Sequence, residues 1–212
     1  MTGPAREEEH VRGAVDAPVT LVEYGDYECP YCAAAAPLLK QLVDDSGGRV
    51  RLVFRNFPLA DRHPYALTAA LAAEAAGAQG AFWPMHDLLF TKQDRLTDVA
   101  LRAYADSLGL DGGRVVGEPA QAFADRVESD FADGLAAGVE GTPTVFIDGV
   151  RYAGRMELGP LQRAVGMADD SADGSTPGTR RQRRWSLGLR RAEREAVAEH
   201  PQEDDAEDRR GH

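Results

Sequence analysis

The sequence predicts an α/β fold with a central mixed sheet, an inserted helical domain and a mostly disordered C-terminal tail. Two segments rich in β-branched and aromatic residues flank an alanine-rich helix near the N-terminus. A long helical stretch, about residues 60–138, separates them from a predicted hairpin. Beyond residue 168 the composition changes to charged residues with Ser, Gly and Pro between them, which is typical of disorder. We therefore predict one domain at 10–167 and a charged tail at 168–212.

The first half of the domain is predicted to form a strand, a helix and a second strand. The first strand is predicted at 19–25 (VTLVEYG). A helix follows at about 30–45, because Pro30 suits a first helical turn and the glycines at 47 and 48 end it. The second strand is predicted at about 50–57, and residues 1–13 are expected to be loose.

The second half of the domain is predicted to form several helices followed by a hairpin. Apolar residues recur three and four apart in four segments, at 63–79, 81–93, 97–110 and 119–139. Strand character returns at 144–148 and 150–153, on either side of the turn signal Asp148–Gly149. A short helix at 156–168 closes the domain.

Composition excludes several classes of function. A net charge of -11 disfavours a protein that binds the nucleic-acid backbone. No run of 18 apolar residues occurs, so no membrane span is expected. The start, MTGPAREEEHVRG, lacks the basic and apolar regions of a secretory signal, and we expect a cytoplasmic location. The sequence contains no coil-like heptads, so we expect a monomer.

The two cysteines, Cys29 and Cys32, carry the chemistry. Cys29 stands at the start of the predicted helix, where unpaired backbone N–H groups stabilise a thiolate and lower its pKa. Cys32 follows one turn later, within disulfide reach, so the pair can exchange disulfides. The alternatives are half of a zinc site completed by His63 and His86, whose spacing is unfamiliar, or an inert pair in the core. We expect neither a metal nor a cofactor.

Two further residues stand near this motif in the predicted fold. Glu23 lies within an otherwise apolar strand, where it faces either the interior below Cys32, as a proton acceptor, or the solvent. Pro143 opens the hairpin in GTPT, an ordinary place for proline. Only about 5% of X–Pro bonds are cis, so the spacing alone does not predict a cis bond.

Four segments together resemble the DsbA-like thioredoxin family: VTLVEYGDYECPYC, FRNFPL, HPYALTAALAAEAAGAQGAFWPMHDLLF and GVEGTPTVFIDG. The resemblance extends from about residue 10 to 165, and the predicted order of elements is a thioredoxin-like arrangement. CPYC alone is shared with glutaredoxins. CPYC followed by GTPTVFIDG is more specific, and the helical block is typical of the bacterial DsbA-like branch.

The resemblance implies a role for each motif residue. Cys29 matches the attacking cysteine, which is expected to be partly exposed, Cys32 the resolving cysteine, which is expected to be mostly buried, and Glu23 the buried acid. Pro143 matches a cis-proline that faces the sulfurs. Three residues would contact a substrate peptide: Thr142 through its backbone, and Pro30 and Tyr31 from between the cysteines.

The sequence therefore predicts a thiol–disulfide oxidoreductase that exchanges disulfides with protein thiols. Tyr31 replaces a histidine of the best-known periplasmic oxidants, which indicates a milder oxidant or a reductase. The alternatives are a cytosolic disulfide reductase or isomerase, and a thioredoxin-fold peptide-binding module with incidental redox activity. A relative that uses a thiol cofactor would not need Cys32. The expected partners are protein or small-thiol disulfides and an unidentified electron partner, with no nucleic acid.

Overall fold

The computed structural model describes residues 10–167, which form a thioredoxin-like mixed α/β fold. The five strands form one sheet in the order β1-β3-β2-β4-β5. Their bounds are β1 Val11–Arg12, β2 Val19–Gly25, β3 Val50–Asn56, β4 Thr144–Ile147 and β5 Val150–Arg151. The central strand, β2, is parallel to β3 and antiparallel to β4. The predicted mixed sheet is confirmed.

The helices flank this sheet and form the insertion. Their bounds are α1 Pro30–Asp45, α2 Ala66–Gly77, α3 Phe82–Thr91, α4 Asp98–Ser107, α5 Glu118–Gln121, α6 Ala124–Ala136 and α7 Leu158–Ala164, with a 3-10 turn at Gly112–Arg114. All elements from α2 to α6 lie between β3 and β4 in the chain, as the predicted insertion requires. Among residues 10–167, no helix combines the length and apolar character needed to cross a membrane.

Two local predictions are wrong. The helix predicted at 119–139 is two helices, α5 and α6, which are separated at Ala122 and Phe123. Residues 11 and 12 were expected to be loose, but they form β1, because Val11 pairs with Val53 on β3. The tail, 168–212, lies outside the described residues.

Helix α1 positions the cysteines because one of its faces packs against the sheet. Its buried residues recur three and four apart: Cys32, Ala35, Leu39, Leu42 and Val43. Ser46 caps the end of the helix: its hydroxyl donates to the carbonyl of Val43 and accepts from the N–H of Val50. These bonds connect the end of α1 to the start of β3.

The insertion is joined to the sheet by buried polar groups. The side chain of Asn56, at the end of β3, donates to Glu74 on α2 at 2.7 Å, and its backbone N–H donates to Asp130 on α6 at 3.1 Å. The ring of His10 lies 2.8 Å from the same Glu74 carboxylate. Apolar packing alone does not fix the orientation of a helix, whereas these bonds are directional.

Candidate active site

A tight turn carries Cys29 from the end of β2 to the start of α1. The N–H of Cys29 donates to the carbonyl of Asp26 at 3.1 Å. The Asp26 carboxylate, which is almost fully buried, accepts from the backbone N–H groups of Glu28 and Leu59, each at 2.8 Å. It also lies 2.8 Å from Nδ1 of His63. Asp26 thus fixes both the turn and the loop after β3.

Both cysteines are free thiols and both are buried. Cys29 exposes 3% of its surface and Cys32 exposes none. The expectation that Cys29 is partly exposed is wrong, although Cys29 is the more accessible of the two. The carbonyl of Thr142 lies 3.3 Å from its Sγ and accepts a hydrogen bond from the thiol, so the loop before β4 covers the sulfur.

The pKa of Cys29 is lowered to about 5. The main cause is a hydrogen bond from the Cys32 thiol, while burial of the sulfur opposes the effect. The Thr142 side chain and the backbone N–H groups of Cys32 and Tyr31 lower the pKa further. The Thr142 hydroxyl has no hydrogen-bond partner among residues 10–167, so it is available to donate to the thiolate. The direction of the shift is the one predicted, but the backbone N–H groups at the helix start contribute less to it than the Cys32 thiol does.

Cys32 behaves in the opposite way. Burial raises its pKa, because a charged sulfur is poorly solvated inside the protein. Its hydrogen bond to Cys29 and the charge of Glu23 raise the pKa further. The two environments therefore give one thiolate and one protonated thiol in the reduced protein, which are the forms required of an attacking and a resolving cysteine.

Glu23 lies in the interior, as the first of its two predicted orientations requires. It is fully buried in β2, between Phe54 on β3 and Val145 on β4. Loss of solvation raises its pKa to about 8; the positive charge of Arg12 lowers it and the charge of Cys29 raises it. Neither carboxyl oxygen has a hydrogen-bond partner among residues 10–167. A carboxyl group with this pKa can accept and release a proton near neutral pH.

The loop before β4 borders a cavity of about 460 Å³, whose lining includes Tyr31, between the two cysteines, but neither cysteine. The Thr142–Pro143 peptide bond is cis, as the resemblance implied. The cavity is lined by residues of α1, of the hairpin and of the segment after it: Tyr31, Ala34, Ala35, Leu38, Thr142, Pro143, Thr144, Val145, Arg151, Tyr152, Gly154 and Met156. Tyr31 is 74% exposed at its edge. Pro30 is also exposed but does not line the cavity.

The two histidines of the zinc alternative do not join the cysteines. His63 pairs with Asp26, and His86 is buried with its Nδ1 3.1 Å from the hydroxyl of Tyr27. Burial lowers the pKa of His86, which keeps it neutral. Across residues 10–167, His, Cys, Asp and Glu form no group of three or more that could hold a metal ion.

Two residues of the site were missed in the sequence, Asp26 and Gln93. The side-chain amide of Gln93 donates to the carbonyls of Tyr27 and Cys29. Gln93 follows α3 in the insertion, more than sixty residues beyond the cysteines, so no local pattern connects it with them. Asp26 stands beside the motif, but its contacts to Leu59 and His63 depend on the tertiary structure.

We expect the alkylation rate of the reduced protein to be half-maximal near pH 5 and nearly constant above about pH 6.5. The reason is that Cys29 is already ionised there, whereas a cysteine in an unstructured peptide ionises near pH 8.5. Initial rates with iodoacetamide, with the label located by mass spectrometry, measure this. Cys29→Ser is the control, because Cys32 exposes no surface and its raised pKa keeps it protonated. A midpoint near 8.5, or a label mainly on Cys32, would contradict the assignment.

The chain matches one protein family, and it is similar to several longer proteins in sequence and to several solved structures in fold. The thioredoxin family matches residues 5–166. The Salinispora arenicola protein named Na(+)/H(+) antiporter NhaA 1 is 47% identical over 160 residues, 75% of this chain and 24% of that protein. The Herminiimonas arsenicoxydans Na(+)/H(+) antiporter NhaA is 44% identical over 149 residues, 70% of this chain and 24% of that protein. The chain thus spans about a quarter of the length of these relatives.

Three solved structures are similar to this chain over most of their own length. Oxidised BdbD from Bacillus subtilis has a TM-score of 0.65 at 26% identity, covering 77% of this chain and 94% of its own. A thioredoxin-like oxidoreductase from Silicibacter pomeroyi has a TM-score of 0.65 at 30% identity, covering 76% and 92%. The Wolbachia pipientis thiol-disulfide exchange protein alpha-DsbA2, at 22% identity and a TM-score of 0.67 over 76% and 87%, shows the fold alone.

Proposed function

The chain belongs to the thioredoxin family, and from this premise we propose that it exchanges disulfides with protein thiols through Cys29 and Cys32. The observation that carries the proposal is the placement of the two thiols at the start of α1, where Cys32 is fully buried and the Thr142 carbonyl lies 3.3 Å from Sγ of Cys29. In keeping with this placement, the pKa is shifted down for Cys29 and up for Cys32. Neither an inert pair of core cysteines nor a peptide-binding module requires such a difference. The antiport activity in the names of the longer relatives is not part of the proposal.

The exchange proceeds in two steps that balance. The Cys29 thiolate attacks one sulfur of a substrate disulfide, a mixed disulfide forms, and the other substrate sulfur leaves as a thiolate. Cys32 then transfers its proton to ionised Glu23 and attacks Sγ of Cys29, which releases the second substrate sulfur. The substrate is reduced by two electrons and the protein is oxidised. In the reverse direction the protein donates its disulfide.

The substrate is held by the cavity beside the cysteines. Thr142 offers its backbone to an extended peptide, in the manner of strand addition, while Tyr31 and Pro143 contact the side chains of that peptide. Peptide binding at Thr142 would displace the carbonyl that now accepts the Cys29 thiol hydrogen. Pro30 would contribute only by contact at the exposed start of α1.

The low pKa of Cys29 favours donation of a disulfide, because it stabilises the reduced protein. A Cys29–Cys32 reduction potential near the about -120 mV of a strong oxidant would support this direction, and a value near the about -270 mV of thioredoxin would support the reductase or isomerase alternative. The cytoplasmic location, the monomeric state and the electron partner stay predictions, which cell fractionation, sedimentation and affinity capture test.

We expect Cys32→Ser to accumulate a covalent complex with a protein that contains a disulfide, because no second thiol is present to resolve the mixed disulfide. The wild-type protein should turn over the same substrate without such accumulation. Non-reducing gel electrophoresis detects the complex, and loss of substrate disulfide measures turnover.

Cys29→Ser is the matched control for this trap, since it leaves only the buried thiol of Cys32 and should form no complex. Equal trapping by both variants would contradict the assigned roles. Absence of wild-type turnover with both disulfide and dithiol substrates would refute the oxidoreductase and favour the peptide-binding module, whose cellular role would survive Cys29→Ser.

A further inference from the structure

We propose that Gln93 is a positioning residue that holds the turn at Cys29 in the geometry from which its sulfur reacts. This inference rests on the proposed function. Nε2 of Gln93 donates to the carbonyl of Tyr27 at 2.9 Å and to that of Cys29 at 2.8 Å. A side-chain amide has two N–H donors, so both are used on the turn.

The carbonyl of Cys29 is the first acceptor of helix α1. It also accepts from the N–H of Cys32 at 3.1 Å and the N–H of Ala33 at 3.2 Å. The backbone N–H groups of Tyr31 and Cys32 contribute to holding the Cys29 thiolate. Because Gln93 fixes the carbonyl at which this helical turn begins, it fixes the direction of those donors relative to Sγ.

The opposite side of the turn is held by a different group. The Asp26 carboxylate accepts from the N–H of Glu28, while Gln93 donates to the carbonyls on either side of that residue. The peptide groups between Asp26 and Cys29 are thus held by one acceptor and one double donor. Removal of the donor would take this bond from the carbonyl of Tyr27 and leave the carbonyl of Cys29 with its two helical bonds, while Asp26 still holds the N–H of Glu28.

Gln93 lies in a turn of the insertion that is itself held by hydrogen bonds. The N–H of Arg95 donates to the carbonyl of Lys92 at 2.9 Å, which closes a turn around Gln93. The hydroxyl of Tyr104 on α4 donates to the carbonyl of Arg95 at 2.9 Å, and Leu96 is buried next to this turn. Gln93 therefore connects the helical insertion to the turn that carries Cys29.

The test is Gln93→Met, which keeps the length of the side chain and removes both donors. We expect the pKa of Cys29, measured in the reduced protein by thiolate absorbance, to rise by about one unit. The reduced protein is then less stabilised, so its equilibrium with glutathione at pH 7 should shift about tenfold toward the protein disulfide, which corresponds to about 30 mV.

The matched control is Gln79→Met, the same chemical change elsewhere in the insertion. The Gln79 amide bonds to the backbone of Asp111 and Ala75 and not to the turn at Cys29. This variant should keep the wild-type pKa and equilibrium even if its melting temperature falls. If Gln93→Met does not fold, Gln93→Asn, which retains the amide but is one methylene shorter, is measured in the same way.

A wild-type Cys29 titration and glutathione equilibrium in a folded Gln93 variant would overturn the proposal and leave Gln93 with a structural role. The titration needs no protein substrate, so its outcome is separate from that of the proposed function. Failure of the wild-type protein to exchange disulfides would refute the function, whereas an unchanged titration in an otherwise active variant would refute only the role of Gln93.

Discussion

Replacing Glu23 with glutamine is expected to make the protein progressively more stable than the wild type as the pH rises from about 5 to 8. The pKa of Glu23 is raised from 4.5 to about 8 by burial. Between these values the folded wild type keeps a proton that the unfolded chain has released, so this group stabilises the fold fully only below pH 4.5. Its contribution is lost as the pH rises through 8.

The expected size follows from linkage. The difference in free energy of unfolding between the variant and the wild type should grow by about 1.4 kcal/mol per pH unit, or about 4 kcal/mol across the interval. Urea unfolding at four pH values measures it, in the reduced and oxidised proteins. Glu140→Gln, at an exposed position, is the control, and its free energy of unfolding should change with pH as that of the wild type does. A constant difference between Glu23→Gln and the wild type would show that Glu23 ionises normally.

Replacing Asn56 with leucine is expected to lower the free energy of unfolding by about 3 kcal/mol. The Asn56 side chain donates to Glu74 at 2.7 Å and lies 3.4 Å from Asp130, and all three residues are buried. Leucine fits the volume but removes a donor from two carboxyl groups in a poorly solvated place, which costs more than the loss of an exposed hydrogen bond.

The loss should also increase with pH, because burial raises the pKa of Asp130 and its ionised carboxylate needs the donor more than the protonated form does. Urea unfolding at pH 5 and pH 8 tests both parts. Gln121→Leu removes an exposed amide from α5 and should change stability by less than about 0.5 kcal/mol. An Asn56→Leu variant as stable as the Gln121 control would show that the bonds between β3 and the insertion contribute little.

Elements governed by local sequence were predicted to within a few residues. The predicted first strand and first helix have the bounds of β2 and α1. The reason is that β-branched residues, Pro30 and the two glycines set the backbone conformation at their own positions. The strand β1 was missed, since two residues carry no periodic pattern and depend on pairing with β3. The break between α5 and α6 was missed because apolar residues recur without interruption across it.

The site was predictable only where its residues lie close in the chain. Cys29 and Cys32 follow from their spacing at a helix start. The orientation of Glu23 was open because β2 is buried along most of its length, so apolar alternation does not assign a face. The covering of Cys29 was predicted wrongly because it comes from Thr142, 113 residues further along.

The 113 residues that separate Cys29 from Thr142 in the chain have a consequence during biosynthesis. A ribosome makes the chain from its N-terminus, so Cys29 leaves the exit tunnel long before Thr142 is translated. Until then the nascent chain has the CPYC motif without Thr142, which covers the sulfur and helps to ionise it in the finished fold. Until the hairpin has joined the sheet, the Cys29 thiol of a half-made chain therefore keeps a pKa closer to that of an ordinary cysteine.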